Sequence, residues 1–302
     1  MPSTHPAPTS VRHRGGALKA RLALAASSTL LIACALAALS PAAMGATTKS
    51  CGPTPIQKPT GGYWTCTFGD DFSGTSLNAG NWQVMSTAMW GFTTAGECYV
   101  NDPSTITVAN SALTLTANKL RSPAACGPMT SQYQSGMIFT KDRFAQTYGR
   151  FEARAKMPTG VGFQPAFWMW PQDMAYGNRS GEIDIVEAFG SHPDIASPHI
   201  HMLDALGVDH GDGAYCNVAY SDGRFHTYTL EWSPATMTFS YDGTTCWTIS
   251  KWSPPAFLAT PQPFDKPFFI NLQLALGYGV NAVTDRSPFP TKFVVDYVRA
   301  WR

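Results

Sequence analysis

The chain has 302 residues, of which 44% are apolar, 12% aromatic and only 14% charged, so it can bury a sizeable core. A formal net charge of +1 offers no sustained basic stripe for nucleic acid and no acidic run for a solvating tail. These balances exclude a nucleic-acid footprint and a disordered chain, and electrostatics names no partner.

In chain order the first expectation is an export signal over residues 1–46. Arg12, Arg14, Lys19 and Arg21 precede an apolar run over residues 22–39, and small residues follow at 41–46. A membrane anchor fits less well, because Ser27, Ser28 and Thr29 interrupt a run that barely reaches spanning length. Leu31-Ile32-Ala33-Cys34 also resembles a lipoprotein cleavage box, which would leave Cys34 lipidated, while ordinary cleavage near residue 45 is the preferred reading. No membrane span is expected in the mature chain.

The mature part keeps six cysteines, at 51, 66, 98, 126, 216 and 246, an even count that reads as disulfides in an exported chain. No two of them sit at C-x-x-C spacing, which speaks against a metal site. Spacing does not decide among the fifteen connectivities six cysteines allow. Nearest-neighbour pairing, 51–66, 98–126 and 216–246, is the expectation.

Residues 47–302 read as one domain. Period-two segments at 105–108, 112–116, 150–156, 226–230 and 236–240 recur between Gly, Pro, Asn and Ser clusters, and no long 3.6-period segment competes with them. Many short strands with turn punctuation predict an all-β sandwich. Alternation then sorts faces. Phe151, Ala153 and Ala155 oppose Arg150, Glu152, Arg154 and Lys156, and Leu272, Leu274 and Leu276 oppose Asn271, Gln273 and Ala275. Trp168 and Trp170 share a face, where an aromatic ring suits the apolar side of a pyranose as well as a core; Trp168 is the one favoured for a groove. Trp90, in a Gly- and Thr-rich loop, reads as structural.

The stretch Gly181-Glu182-Ile183-Asp184-Ile185-Val186-Glu187 breaks the alternation. Glu182 and Asp184 share a face opposite Ile183 and Ile185, but parity puts Glu187 on the wrong side. A β-bulge at Ile185-Val186 would return Glu187 to the face of the other two acids. Three converging carboxyls repel, so at least one pKa should rise, and a proton held at neutral pH is what a general acid needs. Paired carboxyls are the equipment of glycoside hydrolysis. Spacing alone is equally compatible with a solvated strand face.

Pro198-His199-Ile200-His201 places two imidazoles on one face, a spacing that also suits a metal. No convincing further ligands follow, although His192, Asp194, His210 and Asp212 lie in flanking loops. Gly277-Tyr278-Gly279-Val280-Asn281-Ala282 mimics a dinucleotide fingerprint without a following helix and reads as a strand end and loop. There is no G-x-S-x-G elbow.

The chain resembles glycoside hydrolase family 16, the laminarinase-like β-glucanases. Glu182-Ile183-Asp184-Ile185-Val186-Glu187 matches that family's Glu-Ile/Leu-Asp-Ile/Val-any-Glu signature. Asp70-Asp71-Phe72 and Trp82 look like its opening, and YGRFEARAKMP at 148–158 like its Y-G-x-x-E-x-R-x-K-x-P strand. PAFWMWP at 165–171, FHTY at 225–228 with Glu231-Trp232, and VDYVR at 295–299 follow in family order. The resemblance implies a concanavalin-like β-jelly-roll of two antiparallel sheets with a concave substrate cleft, and a retaining endo-hydrolase of β-1,3 or mixed β-1,3/1,4 glucan. It maps Glu182 to the nucleophile, Glu187 to the acid/base and Asp184 to the helper between them. Retention implies carboxyl groups of Glu182 and Glu187 roughly 5 to 5.5 Å apart.

By the same resemblance Glu152, Arg154 and His201 are substrate contacts, joined by Trp168 from the strand-face argument and by Gln273 at a position that can touch sugar; His201 is the active-site histidine while His199 is left structural. For Glu152 and Arg154 a cross-strand ion pair on an outer face is the competing account. No cofactor is implied for catalysis; Asp296 matches a position that can support a structural calcium, with an exposed strand aspartate an equal account. A monomer is expected. Two departures bear on substrate: Gln164 stands where the family commonly has tryptophan, and Gln273 where it commonly has asparagine. A galactan-type hydrolase, a transglycosylase and a non-catalytic glucan-binding relative therefore stay open.

Overall fold

The structure is a computed structural model that describes residues 51–302; the export signal, Cys34 and the cleavage site lie outside the described residues. Two sheets pack face to face, as the alternating segments require. The outer sheet runs, in spatial order, through Thr244–Ile249, Met237–Tyr241, His226–Trp232, Gly149–Lys156, Thr291–Trp301, Ala112–Cys126, Met129–Ser135 and Cys98–Tyr99. The groove sheet runs through Asp212–Gly213, Ile195–His201, Glu182–Ala188, Phe163–Pro171, Phe268–Leu276, Met137–Phe139 and Gln83–Val84. Among the described residues, α-helix is confined to the single turn Thr87–Trp90.

The core is the sum of the inward faces. Phe151, Ala153 and Ala155 from the outer sheet meet Leu272, Leu274 and Leu276 from the groove sheet in one apolar cluster. Trp232 stands edge-on to Phe268, their centroids 5.5 Å apart at 81°, joining the two layers. Each of the leucine and phenylalanine side chains contributes about 1.5–3 kcal/mol by leaving water. A single Leu272→Ala change in this closed layer costs about 2–5 kcal/mol, because the surrounding strands cannot collapse onto the void.

All three disulfides follow the nearest-neighbour expectation: Cys51–Cys66, Cys98–Cys126 and Cys216–Cys246 close spans of 15, 28 and 30 residues. The second one ties the short strand Cys98–Tyr99 to the far end of Ala112–Cys126. At the opening of the domain, Asp70 accepts from Trp82 Nε1 at 2.8 Å and from Asn81 Nδ2 at 2.9 Å, which fixes the turn that feeds the groove sheet.

Candidate active site

The acid strand, Glu182–Ala188, lies between the tryptophan strand, Phe163–Pro171, and the histidine strand, Ile195–His201. Asp184 sits opposite Trp168 and His199, and Glu187 opposite Ala166 and Ser197, with a register shift between them on both sides. One residue, Phe167, separates Ala166 from Trp168 while two separate Asp184 from Glu187; Val186 pairs with Phe167, Ile185 is the surplus, and the β-bulge at Ile185-Val186 lies where the spacing predicts one. Ile183, Ile185 and Val186 are all buried in the core. Ile185 has no register partner on either neighbouring strand. The Tyr241 hydroxyl, reaching through the core from the outer sheet, donates to its carbonyl at 2.8 Å.

The bulge turns Glu182, Asp184 and Glu187 to the same side, where they line one hollow with Gln164, Trp168, Trp170 and Gln273. Asp184 is buried and Glu182 half-buried. His201 Nε2 approaches Asp184 Oδ2 at 3.2 Å, an ion-pair contact without hydrogen-bond alignment, while its Nδ1 bonds Asp209 Oδ2. His199 Nδ1 lies 2.9 Å from Glu187 Oε2, and Gln164 Nε2 donates to Glu187 Oε1 at 2.5 Å.

Charge crowding acts as the three acids predict. Burial, then the Asp184 charge, pushes Glu182 well above the ordinary glutamate range, with His201 opposing. Burial, then the Glu187 charge, raises Asp184 to about 6. Contact with Asp184 raises His201, whose ring therefore tends to carry a positive charge between the acids.

Hollows on either side extend this centre into a groove. On one side Trp168 and Trp170 are joined by Trp90, Phe92, Phe139 and Phe269; on the other lie His199, His201, Tyr215 and Tyr278. Trp168 stands in this groove, its ring perpendicular to Trp170 at a centroid distance of 5.9 Å. Trp90, read from sequence as structural, is half exposed in the same wall. Gln273 lines the central hollow, its Nε2 donating to Thr94 Oγ1 at 2.7 Å and to Tyr99 Oη at 2.8 Å.

Three expectations need correction or redirection. Glu152 and Arg154 are not brought to the groove. Their strand belongs to the outer sheet, so its polar face points away from the acids, and both side chains are engaged there. Glu152 accepts from Thr229 Oγ1 at 3.0 Å and Tyr297 Oη at 2.8 Å and pairs with Arg150, while Arg154 Nη1 bonds Asp296 Oδ2 at 2.6 Å. The competing ion-pair account is the one that fits. His199, read as structural, meets Glu187 directly. For Asp296, the residues present do not fit a calcium ion, because its carboxylate is already balanced by the Arg154 guanidinium. Among the described residues, three potential ligand atoms converge only at Glu182–Asp184–His201 and Asp184–Glu187–His199, where acids and imidazoles already partner one another.

The sequence matches the family model described as glycosyl hydrolases family 16 over residues 94–286. It is 32% identical over 254 residues to the glucan endo-1,3-beta-glucosidase A1 of Niallia circulans, covering 77% of this chain and 37% of that protein. It is 34% identical over 186 residues to the beta-glucanase of Rhodothermus marinus, covering 57% of this chain and 63% of that one. The chain thus spans less than two thirds of the length of either relative. A solved non-specific endo-beta-1,3(4)-glucanase, SCLam, superposes with a TM-score of 0.71 at 28% identity over 83% of this chain and 98% of that one. Since the matched segment runs through the bulged acid strand itself, the chain belongs to glycosyl hydrolases family 16.

Proposed function

We propose that the protein is a retaining endo-hydrolase of β-1,3 or mixed β-1,3/1,4 glucan. The observation that carries this reading is the bulge at Ile185-Val186, which gathers Glu182, Asp184 and Glu187 on one groove floor. In the first step Glu182, which must first ionise against the burial and the Asp184 charge that raise it, bonds the anomeric carbon through a carboxylate oxygen while Glu187 gives its proton to the departing glycosidic oxygen. In the second, water adds to that carbon, Glu187 takes the water's proton, and Glu182 leaves as carboxylate. Asp184, packed between the two and paired with His201, tunes the charge at Glu182. Two carboxyls carry both steps, so the proposal needs no cofactor.

The groove supports a polymeric sugar ligand. Trp168 Nε1 and Asn271 Nδ2, both on its floor, are buried donors that reach no acceptor among the described residues. Each such group costs about 1–3 kcal/mol until a hydroxyl accepts from it. Trp90 and Trp170 offer flat apolar faces for pyranose rings. The names of both relatives, glucanases, favour a glucan over a galactan. Both carboxyls stand on one strand, so the chemistry asks for no second copy and the protein is taken to act as a monomer. Three disulfides support an exported, oxidising setting, with an anchor through Cys34 the alternative to free secretion. No helix among the described residues is long and apolar enough to cross a membrane.

A second reading, release of the intermediate by a sugar hydroxyl instead of water, is favoured by exposed Tyr215 and Tyr278 on the histidine side of the groove, where an incoming sugar ring can stack. The test is incubation with laminarin, mixed-linkage glucan, agarose and carrageenan, followed by product sizing. Shortened laminarin or mixed-linkage glucan is expected, and products longer than the substrate would reveal the second reading. Glu182→Gln and Glu187→Gln should each lower turnover on unactivated glucan by about three orders of magnitude or more. A wild-type protein that shortens none of the four polymers would leave only a binding role.

A further inference from the structure

We propose that Gln164 and His199 form a two-sided clamp on Glu187 that positions its carboxyl for proton transfer, an inference that rests on Glu187 being the acid/base. Each takes a different oxygen: Gln164 Nε2 donates to Oε1 at 2.5 Å, and His199 Nδ1 lies 2.9 Å from Oε2. Two partners on two oxygens fix both the rotation and the tilt of the carboxyl plane, which one partner cannot do. Gln164, on the tryptophan strand, is only 7% exposed and cannot swing clear of the groove floor.

His199 is seated as firmly. It stands opposite Gly213 in the sheet, and a Cβ built at Gly213 would collide with the imidazole Cδ2 and press the Pro198 carbonyl oxygen at 2.9 Å. Gly213 lacks the left-handed backbone that would itself demand glycine, so what the missing side chain provides is room for the ring. On the ring's other flank lies His201, with centroids 6.0 Å apart. The sequence thus gives up a side chain at 213, which leaves room for the ring that brings Nδ1 to Glu187.

The chemical role follows from which state of Glu187 the clamp prefers. When Glu187 hands its proton to the departing oxygen it becomes a carboxylate, and the Gln164 N–H and a protonated Nδ1 of His199 both bond the new charge. When water attacks in the second step, its proton returns to Glu187, the oxygen bonds the anomeric carbon and Glu182 is released as carboxylate. By bonding that charge the clamp assists the step in which Glu187 gives its proton, while its hold on the carboxyl's orientation serves both steps, and it contributes little when the leaving group departs unaided.

The experiment compares Gln164→Met, His199→Phe and Gly213→Ala on two substrates, laminarin and a dinitrophenyl β-laminaribioside whose leaving group needs no proton. Near-ultraviolet circular dichroism identifies which variants fold. For Gln164→Met and His199→Phe, kcat/KM on laminarin should fall about 10- to 100-fold, and on the activated glycoside less than about threefold. Gly213→Ala, which touches no acid, should show the same leaving-group dependence more weakly by displacing the ring. Folded variants that lose equally on both substrates, or lose on neither, overturn the clamp while leaving the hydrolase reading intact. Wild-type protein that cleaves neither substrate overturns both.

Discussion

Burial and the Asp184 charge both penalise a negative charge on Glu182, and His201 only partly opposes them. Its folded pKa lies above its unfolded one, so the folded state holds that proton more tightly. Stability from this group is complete below the ordinary glutamate range and is lost as pH rises through the raised folded value. Glu182→Gln should therefore match wild type in thermal stability near pH 4 and exceed it increasingly toward pH 8, about 2–4 °C for each kcal/mol. Calorimetry across that range checks it; a difference that stays flat with pH sinks the account. What a residue does was partly readable from sequence. Alternation puts His199 and His201 on one face, but which acid each meets depends on register against the acid strand, where His201 lies opposite Glu182 and His199 opposite Asp184. Likewise parity sorts Glu152 and Arg154 onto a polar face without telling which sheet owns it.

At the scale of the element, the bulge was legible because the acid spacing changes from two to three while Ile183, Ile185 and Val186 all need the core. What holds the bulge was not. Its stray carbonyl, on Ile185, is met by Tyr241 from a strand more than fifty residues away, and no local pattern announces that pairing. Tyr241→Phe keeps the ring and removes the donor, leaving a buried acceptor unpaired at a cost of about 1–3 kcal/mol. Because the loosened peptide lies between Asp184 and Glu187, kcat should fall while KM changes little. Urea melts and laminarin kinetics test both halves, and an unchanged melting midpoint would show that the bulge holds itself.

At the scale of the molecule, composition and punctuation were enough for an all-β sandwich, whereas cysteine order left fifteen connectivities open and the fold picks the nearest-neighbour one. The partition of strands between sheets was beyond reach, since it is set by long-range pairing. The Cys98–Cys126 bond shows how the whole serves the groove. It anchors the loop whose Thr94 and Tyr99 hold Gln273 in the central hollow. A Cys98→Ser/Cys126→Ser double variant should lose about 2–4 kcal/mol of stability. On laminarin its KM should rise more than its kcat falls, because the slackened loop is a wall of the site and not its acid. Equal KM values in the two proteins would remove the loop from the binding account.

The strand Thr291–Trp301 lies in the middle of the outer sheet, flanked by Gly149–Lys156 and Ala112–Cys126 and also paired with Cys66–Asp70. These three partners precede it by well over a hundred residues, so Gly149–Lys156, Ala112–Cys126 and Cys66–Asp70 each keep an unpaired edge until this one keystone is in place. A nascent molecule that has delivered residue 290 still cannot shut.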